Sequence, residues 1–328
     1  MTHERTFWQD KRVCVTGGAG FLGRALCRRL RSAGCTSITI PRRAEYDLTD
    51  SFAVRSLLED CRPDIVLHLA AEVGGIGANR QNPGRFFYAN MAMGLHLIEE
   101  ARLFGVEKFV QVGTVCAYPK HCPVPFREET IWDGYPEETN APYGIAKKAL
   151  LVMVQAYRRQ YGFNGLFVIP VNLYGPGDNC DPDSSHVIPA LIRRLTEAKD
   201  SGARSVCCWG SGRPSREFLY VDDAADAIVR AARVVNDSEP INIGTGVDIR
   251  IAELAGLIAE LVGYDGQIEW DTTQPDGQPQ RRLDVSRALR TLGWRAETSL
   301  REGLRRTIDW WQEQRQPVDP LPSVSTLS

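Results

Sequence analysis

The chain has 328 residues, of which 43% are hydrophobic and 24% are charged, a composition that suits one large globular domain or two smaller ones. Its 39 Lys and Arg residues nearly balance its 41 Asp and Glu residues, which gives a net charge of −2 and argues against nucleic acid or an anionic membrane as a partner. No apolar run reaches the roughly 20 residues of a transmembrane helix, and the polar N-terminus lacks the apolar segment of a signal peptide, so we expect a cytoplasmic protein.

Short apolar segments alternate with longer amphipathic ones over the first 240 residues. We predict strands at 12–16, 37–40, 64–69, 108–112 and 165–169. We predict helices at 21–33, 51–61, 86–104 and 142–161. Because parallel neighbours need crossover connections, this order predicts an α/β fold built on a Rossmann-type, doubly wound parallel sheet.

The pattern loosens after Asn172. We predict a helix at 187–198, strands at 217–221 and 240–243 that return to the main sheet, and helices at 251–262 and 300–315. The prediction is thus a first domain of residues 1–171 with return segments at about 217–246, and a smaller C-terminal α/β substrate lobe of residues 172–216 and 247–315. Residues 316–328 are rich in Pro and Ser, and we expect a flexible tail.

A glycine-rich loop directly follows the first predicted strand and opens the first helix. It reads Thr16-Gly17-Gly18-Ala19-Gly20-Phe21-Leu22-Gly23. In this position glycines let the backbone approach a pyrophosphate at the helix N-terminus. The first domain is therefore predicted to bind a dinucleotide through Gly17, Gly20, Phe21, Leu22 and Gly23.

The end of the second strand bears on which dinucleotide is bound. Enzymes that use NAD usually carry an acidic residue there, which accepts from the ribose 2′-hydroxyl. This chain instead has Pro41-Arg42-Arg43, and two guanidinium groups suit a 2′-phosphate. We predict NADP (NADPH) as the cofactor, with NAD as the alternative.

Tyr143 and Lys147 lie four residues apart at the start of a predicted helix, with Asn140 as a candidate N-cap and Pro142 in the first turn. This spacing places both side chains on one helix face. A neighbouring ammonium group lowers the pKa of a phenol, which predicts a proton donor and acceptor that works near neutral pH.

Thr114 and Cys116 follow the fourth predicted strand, at the edge of the sheet where ligands bind. If the extended conformation continues, both side chains project to one side. We predict that Thr114 binds a substrate oxygen beside Tyr143.

These features resemble the extended short-chain dehydrogenase/reductase family, and within it the GDP-L-fucose synthase group. The resemblance covers residues 12–315 and rests on several further segments. Among them are Ala70-Ala71-Glu72-Val73-Gly74-Gly75, Asn172-Leu173-Tyr174-Gly175-Pro176, Ser185-His186-Val187-Ile188-Pro189 and Arg216-Glu217-Phe218-Leu219. Glu72 is a departure from the pattern, since many members carry lysine there.

The resemblance implies roles for particular residues. Thr114, Tyr143 and Lys147 would form the hydroxyl, tyrosine and lysine triad, and Cys116 and His186 would be the epimerisation pair. Arg43 would meet the NADP phosphate, and Ala70 would contact the cofactor. The implied substrate contacts are Asn172, Arg194, Trp209, Arg216 and Arg281.

The implied activity is that of an NADPH-dependent 3,5-epimerase/4-reductase acting on a nucleotide-linked 4-keto-6-deoxy sugar, with a GDP-linked sugar favoured. The alternative is a nucleotide-sugar epimerase without net reduction, similar to GDP-mannose 3,5-epimerase or a heptose epimerase, with tightly held NAD(P). A 4,6-dehydratase is disfavoured, because resemblance to that class would imply Asp-Glu after this threonine, where the chain has Val115-Cys116.

Three further expectations concern the cysteines, the oligomeric state and the partners. The nine cysteines are scattered without a CxxC pair, which predicts reduced thiols and no metal site. The long helices at 86–104 and 142–161 match the usual dimer surface of the family, so we expect a homodimer. We expect neither nucleic acid nor a membrane as a partner.

Overall fold

A computed structural model of the chain describes residues 2–74, 76–182, 184–274 and 276–315. The helices of these residues are α1 (Thr2–Gln9), α2 (Phe21–Ser32), α3 (Ser51–Cys61), α4 (Ile76–Gln81), α5 (Pro83–Leu103), α6 (Ala141–Tyr161), α7 (Val187–Ser201), α8 (Val221–Val234), α9 (Ile251–Val262), α10 (Ser286–Leu292) and α11 (Leu300–Arg315). The strands are β1 (Arg12–Thr16), β2 (Ser37–Thr39), β3 (Ile65–His68), β4 (Lys108–Val112), β5 (Gly165–Pro170), β6 (Asn172–Tyr174), β7 (Ser205–Trp209), β8 (Ser215–Tyr220), β9 (Ile241–Ile243), β10 (Asp248–Arg250), β11 (Gln267–Asp271) and β12 (Gln280–Arg281). Short 3₁₀ helices span Val115–Ala117 and Glu128–Trp132. The predicted tail at 316–328 lies outside the described residues.

A six-stranded parallel sheet with the order β2-β1-β3-β4-β5-β9 forms the centre of the fold. Every residue of β3, β4 and β5 is buried, as expected for parallel strands covered on both faces. The helix α2 packs on α8, and α5 packs on α6. The predicted α/β class and doubly wound parallel sheet are confirmed. Because the strands are parallel, the segments after β1, β3 and β4 lie together at the carboxyl ends of the strands.

The prediction that residues 217–221 return to the central sheet is wrong. The strand β8 lies in a second sheet, where it pairs with β10, β12 and β6. The carboxylate of Glu217 is fully buried and accepts from the backbone nitrogens of Leu283 at 2.6 Å and Gly246 at 2.7 Å. These bonds fasten β8 to segments that follow it in the chain. The segment at 240–243 does join the central sheet, where Ile241 pairs with Val168.

A second hydrophobic cluster forms around α7, α9 and α11. The apolar face of α7 is buried in it, and its members are Ile188, Leu191, Ile192 and Leu195. Leu254 and Leu304 pack in the same cluster. Leu283 and Ala288, in contrast, belong to the cluster around the central sheet. No helix among the described residues is long and apolar enough to cross a membrane.

Candidate functional site

The loop between β1 and α2 is a close-packed glycine cradle. Gly17 has φ +72°, and a Cβ atom on it would lie 2.8 Å from the backbone nitrogen of Ala70. A Cβ atom on Gly23 would lie 2.1 Å from the carbonyl oxygen of Gly17. These approaches demand glycine and leave backbone open at the N-terminus of a 12-residue helix, where anions bind well. The remaining predicted loop residues lie at the start of α2: Gly20, Phe21 and Leu22. The loop therefore fits the pyrophosphate of a dinucleotide.

The two arginines after β2 have different surroundings. Arg42 has an exposed side chain, and its carbonyl oxygen accepts from the backbone nitrogens of Glu45 and Tyr46. Arg43 donates from Nη1 to Oε1 of Glu72 at 2.7 Å. Arg85 donates from Nε to Oε2 of the same carboxylate, also at 2.7 Å.

Glu72 is therefore shared by two cations. The hydrogen bond from Arg85 and the charge of Arg43 hold the pKa of Glu72 below its usual value. Arg85 is absent from the sequence-based prediction, because a lone arginine on a long helix gives no pattern that would single it out.

Tyr143 sits at the N-terminal end of α6, buried and hydrogen-bonded to Thr114. Gly144 makes this contact feasible, since a Cβ atom there would lie 2.4 Å from the carbonyl oxygen of Cys116. The absent side chain thus lets the helix rest on the turn that carries Thr114. This glycine was missed from the sequence, because nothing local in the sequence records a helix-to-turn contact.

The predicted effect of Lys147 on Tyr143 does not hold in this structure. Burial raises the pKa of Tyr143, with the nearby Cys116 acting in the same direction and the hydrogen bond of Thr114 opposing it. Burial also lowers the pKa of Lys147 to about 8. The expectation from sequence considered the charge of the lysine alone, whereas the loss of water around both side chains dominates here.

The segment after β4 turns instead of remaining extended, so the predicted geometry of Thr114 and Cys116 is wrong. Thr114 is extended, and its Oγ1 accepts from the backbone nitrogen of Cys116 at 3.1 Å, capping the 3₁₀ turn Val115–Ala117. A Thr hydroxyl often closes such a turn. Both side chains nevertheless lie close to Tyr143, because Thr114 bonds it and the charge of Cys116 acts on it.

Two arginines lie next to Cys116. Arg281 is buried, and its Nη1 lies 3.7 Å from the Sγ of Cys116. Gln278 accepts from Arg281 at 3.0 and 3.2 Å and donates to the carbonyl oxygen of Lys120 at 2.9 Å. Arg216 lies opposite Arg281 in the parallel register of β8 and β12. Burial, and then the charge of Arg281, lower the pKa of Arg216 to about 10, so the pair forms a strong site for an anion. Gln278 is a further residue that the sequence did not single out.

The remaining predicted substrate residues lie on three elements: Asn172 on β6 of the second sheet, Arg194 on α7, and Trp209 at the end of β7, which pairs with β11 in a separate two-stranded sheet. The guanidinium carbon of Arg194 lies 5.9 Å from the centre of the Trp209 ring, and Trp209 is 68% exposed. Asn172 donates to the carbonyl oxygen of Glu217 at 2.9 Å. A Trp face and a guanidinium side by side can hold a planar base.

His186 occupies the N-cap position of α7 with an accessible side chain. Loss of water around the imidazole lowers its pKa. Among the described residues, no hydrogen bond or ion pair joins His186 to Cys116, so their pairing stays a prediction.

Comparison with known families identifies the family of the chain. Residues 13–244 match the NAD dependent epimerase/dehydratase family. The chain belongs to this family. The glycine cradle and the Thr114–Tyr143 contact thus lie in an epimerase/dehydratase, and the predicted membership of the extended short-chain dehydrogenase/reductases is confirmed.

Relatives of this family member carry one recurring name. GDP-L-fucose synthase 1 of Arabidopsis thaliana is 43% identical over 303 residues, which is 92% of this chain and 94% of the relative. GDP-L-fucose synthase of Escherichia coli (strain K12) is 43% identical over 314 residues, covering 93% and 98%.

Solved structures agree on the fold. A GDP-L-fucose synthetase from Naegleria fowleri, solved also with NADP bound, superposes with a TM-score of 0.85 at 28% identity, covering 93% of this chain and 95% of that one in the NADP-bound form. A GDP-6-OMe-4-keto-L-xylo-heptose reductase from C. jejuni reaches a TM-score of 0.88 at 28% identity, with coverage of 93% and 99%.

All nine cysteines lie within the described residues and are free thiols. In the described part of the chain, no group of three or more His, Cys, Asp or Glu side chains is arranged to hold a metal ion.

Proposed function

We propose that this protein is an NADPH-dependent 3,5-epimerase/4-reductase that converts GDP-4-keto-6-deoxymannose to GDP-L-fucose. The observation that carries the proposal is the meeting of Thr114, Tyr143 and Cys116 at the carboxyl end of β4, beside the arginine pair of β8 and β12. Relatives at 43% identity over most of the chain bear the name of this activity.

The cofactor would lie along the glycine cradle, with its pyrophosphate at the N-terminus of α2 and its ribose toward Arg42 and Arg43. Ala70 would contact the cofactor from the segment after β3, where its backbone packs against Gly17 of the glycine loop. Lys147, buried one turn after Tyr143, would bind the nicotinamide ribose. Bound there, NADPH would supply the hydride for C4 of the sugar.

The protein's own residues would carry out the proton transfers. A ketone at C4 acidifies the protons at C3 and C5, and the hydroxyl groups of Thr114 and Tyr143 would stabilise the resulting enolate. Cys116 would remove a proton from one face and His186 would return one on the other, which inverts the carbon. Tyr143 would then protonate the C4 oxygen on reduction.

The substrate's nucleotide would lie between the second sheet and α7. Arg216 and Arg281 would bind the diphosphate, and Arg194 with Trp209 would hold the guanine base. Asn172 would contact the sugar at the start of β6. With β8 in the second sheet, we propose a cofactor-binding part of residues 1–171 and 221–246, and a substrate lobe of residues 172–220 and 247–315.

The test is direct. Purified protein incubated with GDP-4-keto-6-deoxymannose and NADPH should oxidise one cofactor per GDP-L-fucose formed. An alternative is an epimerase without net reduction, and the likeness to a UDP-glucose 4-epimerase of Thermotoga maritima (27% identity, TM-score 0.83) favours it as the second candidate. Deuterium entering GDP-mannose or a GDP-heptose from heavy water, with no NADPH consumed, would support that alternative and exclude the first.

We also propose that the protein is a homodimer formed by α5 and α6. These two helices pack on each other and keep an apolar stripe outside the buried core: Ile145, Ala149, Val152 and Ala156 on α6, with Tyr88 and Leu95 on α5. Light scattering should give a dimer mass for the native chain and a monomer mass for Val152→Glu with Leu95→Glu. Leu289→Glu, an exposed leucine on α10, is the control that should remain dimeric.

We place the protein in the cytoplasm. Free thiols, several of them buried, suit a reducing compartment. Fractionation of cells that express the tagged chain tests this, and recovery from an oxidising compartment would contradict it.

A further inference from the structure

Glu72 holds two arginines at the wall of a cavity of about 400 Å³. Arg43 reaches it from the segment after β2, and Arg85 reaches it from the start of α5. The Glu72 side chain is 18% exposed, while those of Arg43 and Arg85 are 66% and 63% exposed. The carboxylate is thus the inner member of this trio, and the arginines cover it from the solvent side.

The structure places a carboxylate beside Arg43 that the sequence alone did not locate there. No acidic residue ends β2, where an enzyme that uses NAD would place one. Yet β2 and β3 flank the same strand, β1, and the segment after β3 brings Glu72 to Arg43. The segment after β3 therefore supplies a carboxylate to Arg43, four residues beyond the end of β2.

We propose that Glu72 sets the cofactor preference of this enzyme by drawing Arg43 away from the 2′-phosphate of NADPH and offering a carboxylate to the ribose hydroxyl of NADH. NADPH remains the cofactor of the proposed reaction, and we expect NADH to bind in the same place with an affinity within about tenfold of that of NADPH. This inference rests on the proposed placement of the cofactor along the glycine cradle.

The charges explain the direction of the effect. A 2′-phosphate carries about −1.5 to −2 charges at neutral pH. It would approach an Arg43 guanidinium whose charge is partly offset at 2.7 Å by Glu72, a carboxylate that Arg85 shares. Binding then has to break or share that ion pair and bring two anions close together. A ribose 2′-hydroxyl is a neutral donor that needs an acceptor, and a carboxylate oxygen provides one.

The experiment measures binding by the change in nicotinamide fluorescence on the full chain, without substrate. The native protein should bind NADPH and NADH with dissociation constants within about tenfold of each other. Glu72→Gln should bind NADPH about tenfold more tightly, since one neighbouring anion is removed, and NADH a few fold more weakly. Glu107→Gln is the matched control, because Glu107 pairs with Lys11 at the amino ends of β4 and β1, away from the cofactor loop. It should change neither dissociation constant.

A second variant tests the route of the effect. Adding Arg43→Gln to Glu72→Gln should abolish the gain in NADPH affinity, because the freed guanidinium is then absent. A gain that persists without Arg43 would overturn the proposal. So would weaker NADPH binding in Glu72→Gln, which would make Glu72 a support that holds Arg43 in place.

The native protein alone also decides the question if Glu72→Gln does not fold. Adenosine 2′,5′-bisphosphate and 5′-AMP, titrated by calorimetry, should bind within about tenfold of each other. A preference above about a hundredfold for the bisphosphate would overturn the role of Glu72 and leave the proposed function intact. Failure of both dinucleotides to bind would instead contradict the proposed function.

Discussion

Arg281 places a guanidinium nitrogen 3.7 Å from the sulfur of Cys116. The same side chain lies beside Arg216 across the pairing of β12 with β8, where the diphosphate of a nucleotide sugar is proposed to bind. One arginine therefore joins the proposed nucleotide-binding site to the proposed base. Binding of the nucleotide and orientation of the thiol are expected to depend on each other.

Loss of the Tyr143 hydroxyl should stop reduction while leaving binding intact. We expect Tyr143→Phe to lower kcat by about 10²–10⁴-fold, the usual contribution of a general acid, with little change in the affinity for GDP or NADPH. The rate is measured from NADPH absorbance. Tyr157→Phe is the control: it removes a partly buried phenol further along α6 and should retain the native rate. Near-native turnover in Tyr143→Phe would contradict the mechanism.

A methyl group at position 144 should displace Tyr143 from Thr114 without itself contacting the substrate. In Gly144→Ala the new Cβ atom would meet the carbonyl oxygen of Cys116 at 2.4 Å, so α6 has to move and the Thr114–Tyr143 contact lengthens. We expect kcat to fall at least tenfold and the free energy of unfolding to fall by about 1–3 kcal/mol.

The control for Gly144→Ala is Gly256→Ala on α9, where a Cβ atom would meet nothing within 4 Å. Alanine in that helix interior should stabilise the protein by about 0.5–1 kcal/mol. Both values come from urea denaturation. Equal effects of the two substitutions would show that the contact of Gly144 with the turn carries no strain.

The sequence predicts the elements well because their signals are local. Hydrophobic periodicity fixed β4, α3, α9 and α11 to the residue, and the glycine loop is recognisable because its strand and helix adjoin it in the chain. The sheet to which β8 belongs depends on bonds from Glu217 to residues 28 and more positions later, and local pattern contains no such information.

The same limit applies to the site. Thr114, Tyr143 and Cys116 were recognised by residue type and spacing, but the turn that joins them results from a side-chain cap. The direction of the pKa shift of Tyr143 was missed because burial is a property of the packed chain. Glu72, Arg85 and Gln278 act through partners on other elements, so their roles emerge only when those elements are assembled.

Lys147 should make the free energy of unfolding depend on pH in the alkaline range. Its pKa is lowered by burial to about 8, below the value near 10.4 of an exposed lysine. Between these values the unfolded chain binds a proton that the folded chain lacks, so the free energy of unfolding rises from pH 8 to pH 10. Lys108, whose pKa burial also lowers to about 8, adds a rise of the same sign.

Lys147→Met should therefore raise the free energy of unfolding at pH 7 by about 1–3 kcal/mol and about halve its rise between pH 8 and pH 10, while abolishing reduction. Urea denaturation at several pH values, without cofactor, measures this. Lys199→Met, at an exposed position on α7, should leave the pH dependence unchanged. A less stable Lys147→Met protein would mean that the buried ammonium is stabilised by the fold.

Removal of the Arg281 charge should weaken nucleotide binding and inversion together. We expect Arg281→Gln to raise the dissociation constant of GDP about tenfold, because one of two adjacent cations is lost, and to make binding less sensitive to salt. Calorimetry at two salt concentrations measures both effects. Arg282→Gln is the matched control, because the guanidinium of Arg282 is next in the chain but lies 3.7 Å from Asp248. This variant should bind GDP as the native protein does.

Gln278→Leu separates the charge of Arg281 from its position. This variant keeps the guanidinium but removes the two bonds at 3.0 and 3.2 Å that hold it beside Cys116. We expect a smaller loss of GDP affinity than in Arg281→Gln, together with a clear loss of hydrogen exchange at C3 and C5 in heavy water. Unchanged exchange with weakened GDP binding would restrict Arg281 to the nucleotide, and its proximity to the sulfur would then have no part in the inversion.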